Sequence, residues 1–226
     1  MPHLTKSRFK IGCECPTKLY YQDNPSYGNS KKEDTFLKAL AQGGFQVGEL
    51  AKIYHPSGIE ITDIDKTVAT QKTAELLKQK NAIIFEAAIQ FENLFIKADI
   101  VIKDNNSVDL VEVKSKSYDP NTDSFLAKNG KVRIKAEWES YFLDIAFQKH
   151  VIQKAFPSFH VNAYLMLVDK TATASVEGIN QRFFLKKEDN NVSVIVAPET
   201  TKESLGNTLL VKVPVDNEIE TVWEMK

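Results

Sequence analysis

Residues 82–116, AIIFEAAIQFENLFIKADIVIKDNNSVDLVEVKSK, decide the fold. They divide into three β-rich runs, 82–91, 94–103 and 108–116, separated by Glu92-Asn93 and by Asp104-Asn105-Asn106-Ser107. Both separators carry hairpin-turn chemistry. With two-residue turns at Glu92-Asn93 and Asn105-Asn106, Asp99 falls opposite Glu112 and Glu86 falls opposite Asp99. Lys114 then shares their face, two residues beyond Glu112. The alternate positions Phe85, Ala87, Ile89, Ala98, Ile100, Ile102, Val111 and Val113 form an apolar face. The pattern predicts one buried face and one on which the acids gather.

Carboxylates opposed across strands have Cβ atoms about 5 Å apart, where like charges destabilise one another. Such a row holds raised pKa values unless a cation sits among the acids. Mg²⁺ and Mn²⁺, hard cations that take oxygen ligands, suit it, and zinc does not, since no His or Cys is near. A lysine beside such a cation can orient an attacking water or meet charge developing on phosphorus, the chemistry of phosphodiester hydrolysis. Alternation on a solvated sheet face also yields Glu-x-Lys by chance. The valines flanking Glu112 argue for a reason, because a charge in that setting needs one.

Outward from this segment, residues 5–22 read as two short helices with Pro16 in the first turn of the second, and 22–33 as a turn-rich loop. Helical spacing returns over 34–54 with a break near Gly43-Gly44, a short strand is expected at 59–61, and a helix over 67–79. Residues 117–133 read as irregular, 134–155 as a long amphipathic helix and 161–168 as a buried strand. Shorter strands are expected at 182–186 and 192–196, and the tail beyond carries no assignment. The plan is mixed α/β, a mixed sheet with a three-strand antiparallel meander flanked by helices. At 226 residues it is read as a single domain, residues 1–226, with its core at about 30–170, N-terminal helices over 1–30 and a C-terminal extension over about 171–226.

Lys+Arg number 29 against 30 Asp+Glu, which excludes a chain that is basic all over but leaves room for a local patch. Only Arg8, Arg133 and Arg182 are arginines, so a nucleic-acid partner would be held by point charges with little sequence specificity. Between Lys114 and Lys135 lie Lys116, Lys128, Lys131 and Arg133 against Asp119 and Asp123; the segment reads equally as a phosphate-contacting rim or a solvated loop. Tyr118, Phe125 and Trp138 could stack bases or fill core. His55 and His150 read as structural or surface histidines, and Asp63 and Asp65 as helix caps. Cys13 and Cys15 are too few and too close for a disulfide framework, and no apolar run of spanning length or signal-peptide core is visible. A reducing, cytoplasmic chain without membrane partners is expected.

Asp99, Val111-Glu112-Val113-Lys114 and a following helix with Gln148 resemble the PD-(D/E)XK nuclease superfamily. The RecB-type exonuclease branch, with the CRISPR-associated adaptation nucleases, is the nearest likeness, and LTKSRF…CPTKLYY (Leu4 to Tyr21) is similar to its Ser-rich start and Cys-Pro helix. VGELAKIYHPSG, IFEAA, DIV, EVKS and DIAFQ also fall in the order seen in a group of bacterial proteins with such a domain at their N-terminus. The resemblance covers roughly residues 4–170 and implies a restriction-endonuclease-like core. It implies Asp99, Glu112 and the Val113 carbonyl as ligands of Mg²⁺ or Mn²⁺, Lys114 as catalytic lysine, Glu86 as a further acid and ligand, and Gln148 as an orienting residue. Asp144 lies one turn before Gln148, on nearly the same helix face.

Three departures stand out. The branch's Gly-x-x-x-His segment reads Gly44-Phe45-Gln46-Val47-Gly48, leaving Glu49 or Glu86 to substitute for the histidine. Its Gln-x-x-x-Tyr motif reads Gln148 to Ile152, without the tyrosine. Cys15 matches the first ligand of the branch's iron–sulfur cluster but no cysteine follows it, so no cluster is expected. The expectation is a metal-dependent deoxyribonuclease, exonuclease-like on DNA ends or single strands. The alternative is a nuclease-like module that binds nucleic acid or protein without catalysis. A longer native chain with further domains or helicase-type partners stays open.

Overall fold

In the computed structural model, the residues described are 3–22, 24, 26, 35–127, 132–188 and 191–225. Strand β1 (Leu4–Thr5) leads into helices α1 (Lys6–Glu14), α2 (Pro16–Tyr21) and α3 (Thr35–Ile53), then β2 (Ile59–Glu60) and α4 (Lys66–Leu77). Three long strands follow, β3 (Asn81–Phe91), β4 (Leu94–Asp104) and β5 (Ser107–Tyr118), then α5 (Ala136–Ala155) and β6 (His160–Asp169). A short 3₁₀ turn precedes β7 (Phe183–Glu188), β8 (Asn191–Val196), β9 (Leu210–Pro214) and α6 (Asp216–Glu224). The protein is mixed α/β: a central mixed sheet flanked by helices. Among the described residues that sheet has seven strands, in the order β2-β3-β4-β5-β6-β9 with β1 alongside β4, and β7–β8 forms a separate hairpin.

Chain chemistry accounts for the frame. Pro16 opens α2, and the Asp65 carboxylate accepts the Val68 N–H and caps α4, as expected of it. The turns at Glu92-Asn93 and Asn105-Asn106 each join antiparallel strands, with left-handed backbone at Glu92 (φ 52°) and Asn105 (φ 54°). Ile84, Ile89, Ile96, Leu110, Leu165 and Leu167 are almost fully buried, each contributing about 2 kcal/mol of hydrophobic stabilisation.

Three expectations need correction. Helix α3 runs through Gly43-Gly44 without a break; an interior glycine costs a helix about 1 kcal/mol, too little to interrupt 19 residues packed on β5 and on the β7–β8 hairpin. Helix α5 is not amphipathic, being buried at every position from Phe142 to Gln148. It lies between the sheet on one side and α1 and α6 on the other, so no side of its middle faces water.

The third correction concerns the faces. Both sides of the sheet are covered, and the apolar positions expected on one face divide. Phe85, Ile100 and Val111, with Ile102 and Val113 packed against them, belong to a smaller cluster with Leu50 and Tyr54 of the α3 segment. Ala87, Ile89 and Ala98 belong to the larger cluster that contains α5. The division follows Glu86, whose φ of 54° interrupts the pleat between Phe85 and Ala87 and shifts the alternation. Glu112 of β5 is therefore fully buried rather than facing bulk water, and Asp99 of β4 is half-buried beside it. Toward the C-terminus, β9 pairs with β6, and α6 packs on α5 with Ile219 and Val222 in the larger cluster.

Candidate active site

The β4–β5 ladder runs from Asp104 and Ser107 to Ile100 and Val111 and ends there. Beyond it the strands part. β5 stays with β6, and the edge of β4 left free at Leu94 and Phe95 is taken by β1 in parallel. Asp99, Glu112 and Lys114 stand in the resulting fork. The Asp99 carboxylate takes over a role the ladder has given up, accepting the Val113 N–H at 2.8 Å.

Four elements send side chains into the fork. From β5, the Lys114 ammonium donates to Glu112 Oε1 at 2.5 Å and lies 3.4 Å from Asp144 Oδ2. From α5, Gln148 donates through Nε2 to Glu112 Oε2 at 2.7 Å. Glu112 and Gln148 are both fully buried. Thr5 ends β1 and caps α1, so Lys6, the first residue of that helix, is delivered to the fork. Its ammonium lies 3.2 Å from Glu112 Oε1 and 3.8 Å from Asp99 Oδ1. One turn on, Lys10 reaches Asp144 at 2.9 Å.

The electrostatics separate the two acids. Burial pushes Asp99 up to about 7, Glu112 beside it adds to the rise, and Lys6 and Lys114 oppose it. Burial works the same way on Glu112, but Lys114 and Lys6 outweigh it and hold that carboxyl down at about 2. Lys114 is itself raised: burial disfavours its charge, and Glu112 then Asp144 more than compensate. It is a cation at any ordinary pH.

The fork opens into a cleft of about 670 Å³. Its far wall is α3, with Gly44, Gly48 and Glu49, together with Val192 to Val194 of β8. Glu86 lines the same cleft, its carboxyl raised by burial against the pull of Lys52, Lys97 and Lys6. Glu49 is paired with Lys52 at 2.7 Å. Among the described residues no three His, Cys, Asp or Glu side chains converge on one point as a cation cage. Two acids and a bridging ammonium meet instead, with Glu86 across the cleft. Asp99 and Glu112 each direct an oxygen toward one ammonium nitrogen, so the pair already shares a seat for positive charge. An all-oxygen donor set of this kind fits Mg²⁺ or Mn²⁺.

Lys116, Arg133 and Lys135 are not among the residues lining the cleft. Lys116 donates to the Glu137 carbonyl at 3.0 Å over the Trp138 ring, Arg133 is exposed, and Lys135 precedes α5 as its N-cap. Lys128 and Lys131 lie outside the described residues. Tyr118, Phe125 and Trp138 pack on one another in the core, unavailable to bases. Lys6 and Lys10 are site residues that sequence reasoning missed. Their signal was a Lys-x-x-x-Lys spacing, one face of a helix, with nothing local to say what that face would meet.

No protein-family model matches the chain, and no curated protein matches it. Among solved structures it is similar to a candidate exonuclease from Eubacterium rectale, at 11% identity and a TM-score of 0.41 over 99% of this chain and 76% of that one. No helix among the described residues is long and apolar enough to cross a membrane.

Proposed function

We propose that this chain is a divalent-cation-dependent nuclease of the RecB-type PD-(D/E)XK kind, hydrolysing phosphodiester bonds in DNA at ends or in single strands. The observation that carries this reading is the Asp99–Glu112 pair in the β4–β5 fork with Lys114 hydrogen-bonded beside it. Mg²⁺ or Mn²⁺ held by Asp99, Glu112 and the Val113 carbonyl, with Glu86 opposite, would polarise the scissile phosphate and acidify the attacking water.

The remaining work falls to the chain. Lys114 stays protonated, so it cannot act as a base; it offers a fixed positive charge to the phosphate as negative charge builds there. Asp144 holds Lys114 from behind, and Gln148 fixes the rotation of Glu112 by occupying its second oxygen. The cleft is open to solvent and carries the exposed ring of Phe45 on its α3 wall, against which an unpaired base can stack. That favours single strands and frayed ends over intact duplex.

The test is cleavage of end-labelled single- and double-stranded DNA, with RNA alongside, in Mg²⁺ or Mn²⁺, comparing wild type with Asp99→Ala and Lys114→Ala. Metal-dependent cutting by wild type, lost in both variants, is the expected result. Activity surviving both substitutions would refute the site. One observation favours a second reading: Lys6, Lys10 and Lys114 already balance Asp99, Glu112 and Asp144 without any metal. Binding of DNA without cutting would put a non-catalytic binding module ahead.

A further inference from the structure

We propose that Lys6 is the resident cation of the fork. It holds the seat between Asp99 and Glu112 while no divalent ion is bound, and it must withdraw for one to enter. This rests on the metal-dependent reading above and assigns a residue outside the Asp99, Glu112 and Lys114 set.

Geometry gives the first reason. Leu4 and Thr5 lie against Leu94 and Phe95 on the edge of β4 that β5 has left, and the Leu4 N–H donates to the Asn93 carbonyl at 2.8 Å. The Thr5 hydroxyl caps α1 by accepting the Arg8 N–H. The backbone of Lys6 is thereby pinned at the mouth of the fork. Its flexible four-carbon stem carries the ammonium between the two carboxylates, 3.2 Å from one and 3.8 Å from the other.

Charge pairing gives the second. Lys10 and Lys114 both contact Asp144, and Lys114 also contacts Glu112. Among the described residues, the acids within ion-pair reach of Lys6 are Asp99 and Glu112 alone. Its position is thus set by the pair that would hold the metal. Two acids this close favour positive charge beside them, and Lys6 adds its ammonium to that of Lys114.

The third reason is that Lys6 has somewhere to go. Its side chain lines the cleft and remains 27% exposed, whereas Glu112 beneath it is sealed. Glu86 lines the same cleft and already attracts Lys6. Withdrawal therefore swings the ammonium into the channel where a substrate phosphate would lie, without disturbing β1 or α1.

Direction distinguishes this role from a structural one. Lys6→Met keeps the stem and removes the competing charge, so the intact protein without DNA should bind Mn²⁺ at least tenfold more tightly by isothermal titration. Lys6→Arg keeps the charge and should show no such gain. Lys10→Met removes a cation from Asp144 but none from the seat, and should change affinity less than threefold. If Lys6→Met is too unstable to titrate without metal, the dependence of its unfolding temperature on Mn²⁺ gives the same apparent affinity. Binding by Lys6→Met that is equal to or weaker than wild type overturns the proposal and leaves the metal-dependent reading standing. No Mn²⁺ binding by either protein overturns both.

Discussion

The β4–β5 hairpin has two ends that obey the same alternation and do opposite things. At the closed end, between the Asn105 turn and the Ile100–Val111 pair, the strands are bonded rung by rung and Val101, Val108 and Leu110 are buried at 1% exposure or less. At the open end the inward positions one step further along are Asp99 and Glu112, and the rungs are gone. A side-chain oxygen takes the Val113 N–H, and β1 takes the vacated strand edge. Ending a ladder early thus creates a polar recess inside a sheet that is covered on both faces. The charges placed there are satisfied by groups from α1 and α5, remote in sequence.

The comparison breaks if its two ends respond alike to mutation. At the open end, Asp99→Ala or Lys114→Ala should lower DNA cleavage per folded molecule by at least about a thousandfold. At the closed end, Leu110→Ala lies two residues from Glu112 and should cost about 3 kcal/mol in urea unfolding. Turnover per folded molecule should stay at the wild-type level in that variant. A Leu110→Ala protein that is stable but inactive would show that the fork is not a separable site.

A second, smaller effect is read through pH. Asp99 titrates near 7 in the fold against an ordinary value of 3.8, so the native chain holds its proton more tightly than the unfolded one. A raised carboxyl favours the fold at low pH, and that advantage is lost as pH rises from about 4 through 7. Metal-free wild type should therefore lose stability on the order of 2 kcal/mol between pH 5 and pH 8 relative to Asp99→Asn. The variant's side-chain carbonyl can still accept the Val113 N–H. Glu112 is shifted downward, so its contribution changes only below about pH 4.5, outside this window. The Leu110→Ala protein should keep the wild-type slope, and a flat difference between wild type and Asp99→Asn would mean that the fork does not raise the Asp99 carboxyl.

What sequence reasoning reached and what it missed divide along the same line. The closed end was legible because turn chemistry and a period of two are local. Two-residue turns at Glu92-Asn93 and Asn105-Asn106 yield the observed registers, Phe85 opposite Ile100 and Ile100 opposite Val111. The fork was not legible, because its cause is where other strands compete for an edge. Two residues of β1 hold that edge, and nothing in Leu4-Thr5 names β4 as their partner. Lys6 was invisible for the same reason. The tail defeated assignment because β9 is five residues long and pairs with β6 more than forty positions earlier. In α5 the side turned away from the sheet is buried by α1 and α6, so a period of 3.6 could not reveal it.

The smallest expected effect compares two residues with the same backbone angle. Asn105 at the closed tip and Glu86 at the cleft both have φ of 54°. Asparagine tolerates that region, and at a two-residue turn it costs little. A glutamate there carries about 1 kcal/mol of strain, and it sits where the pleat of β3 is interrupted opposite Asp99. Asn105→Gly should thus change stability by less than about 0.5 kcal/mol. Glu86→Gly should raise it by no more than about 0.5 kcal/mol, with relief of strain largely offset by the freer unfolded chain. Because Glu86→Gly also removes a half-buried carboxyl, Glu86→Gln is the necessary partner: it removes the charge and keeps the strain. If Glu86→Gln gains as much as Glu86→Gly in thermal unfolding, burial of the acid rather than its backbone is the stored cost. If Glu86→Gly instead loses more than about 1 kcal/mol, the left-handed residue supports the fork through its side chain.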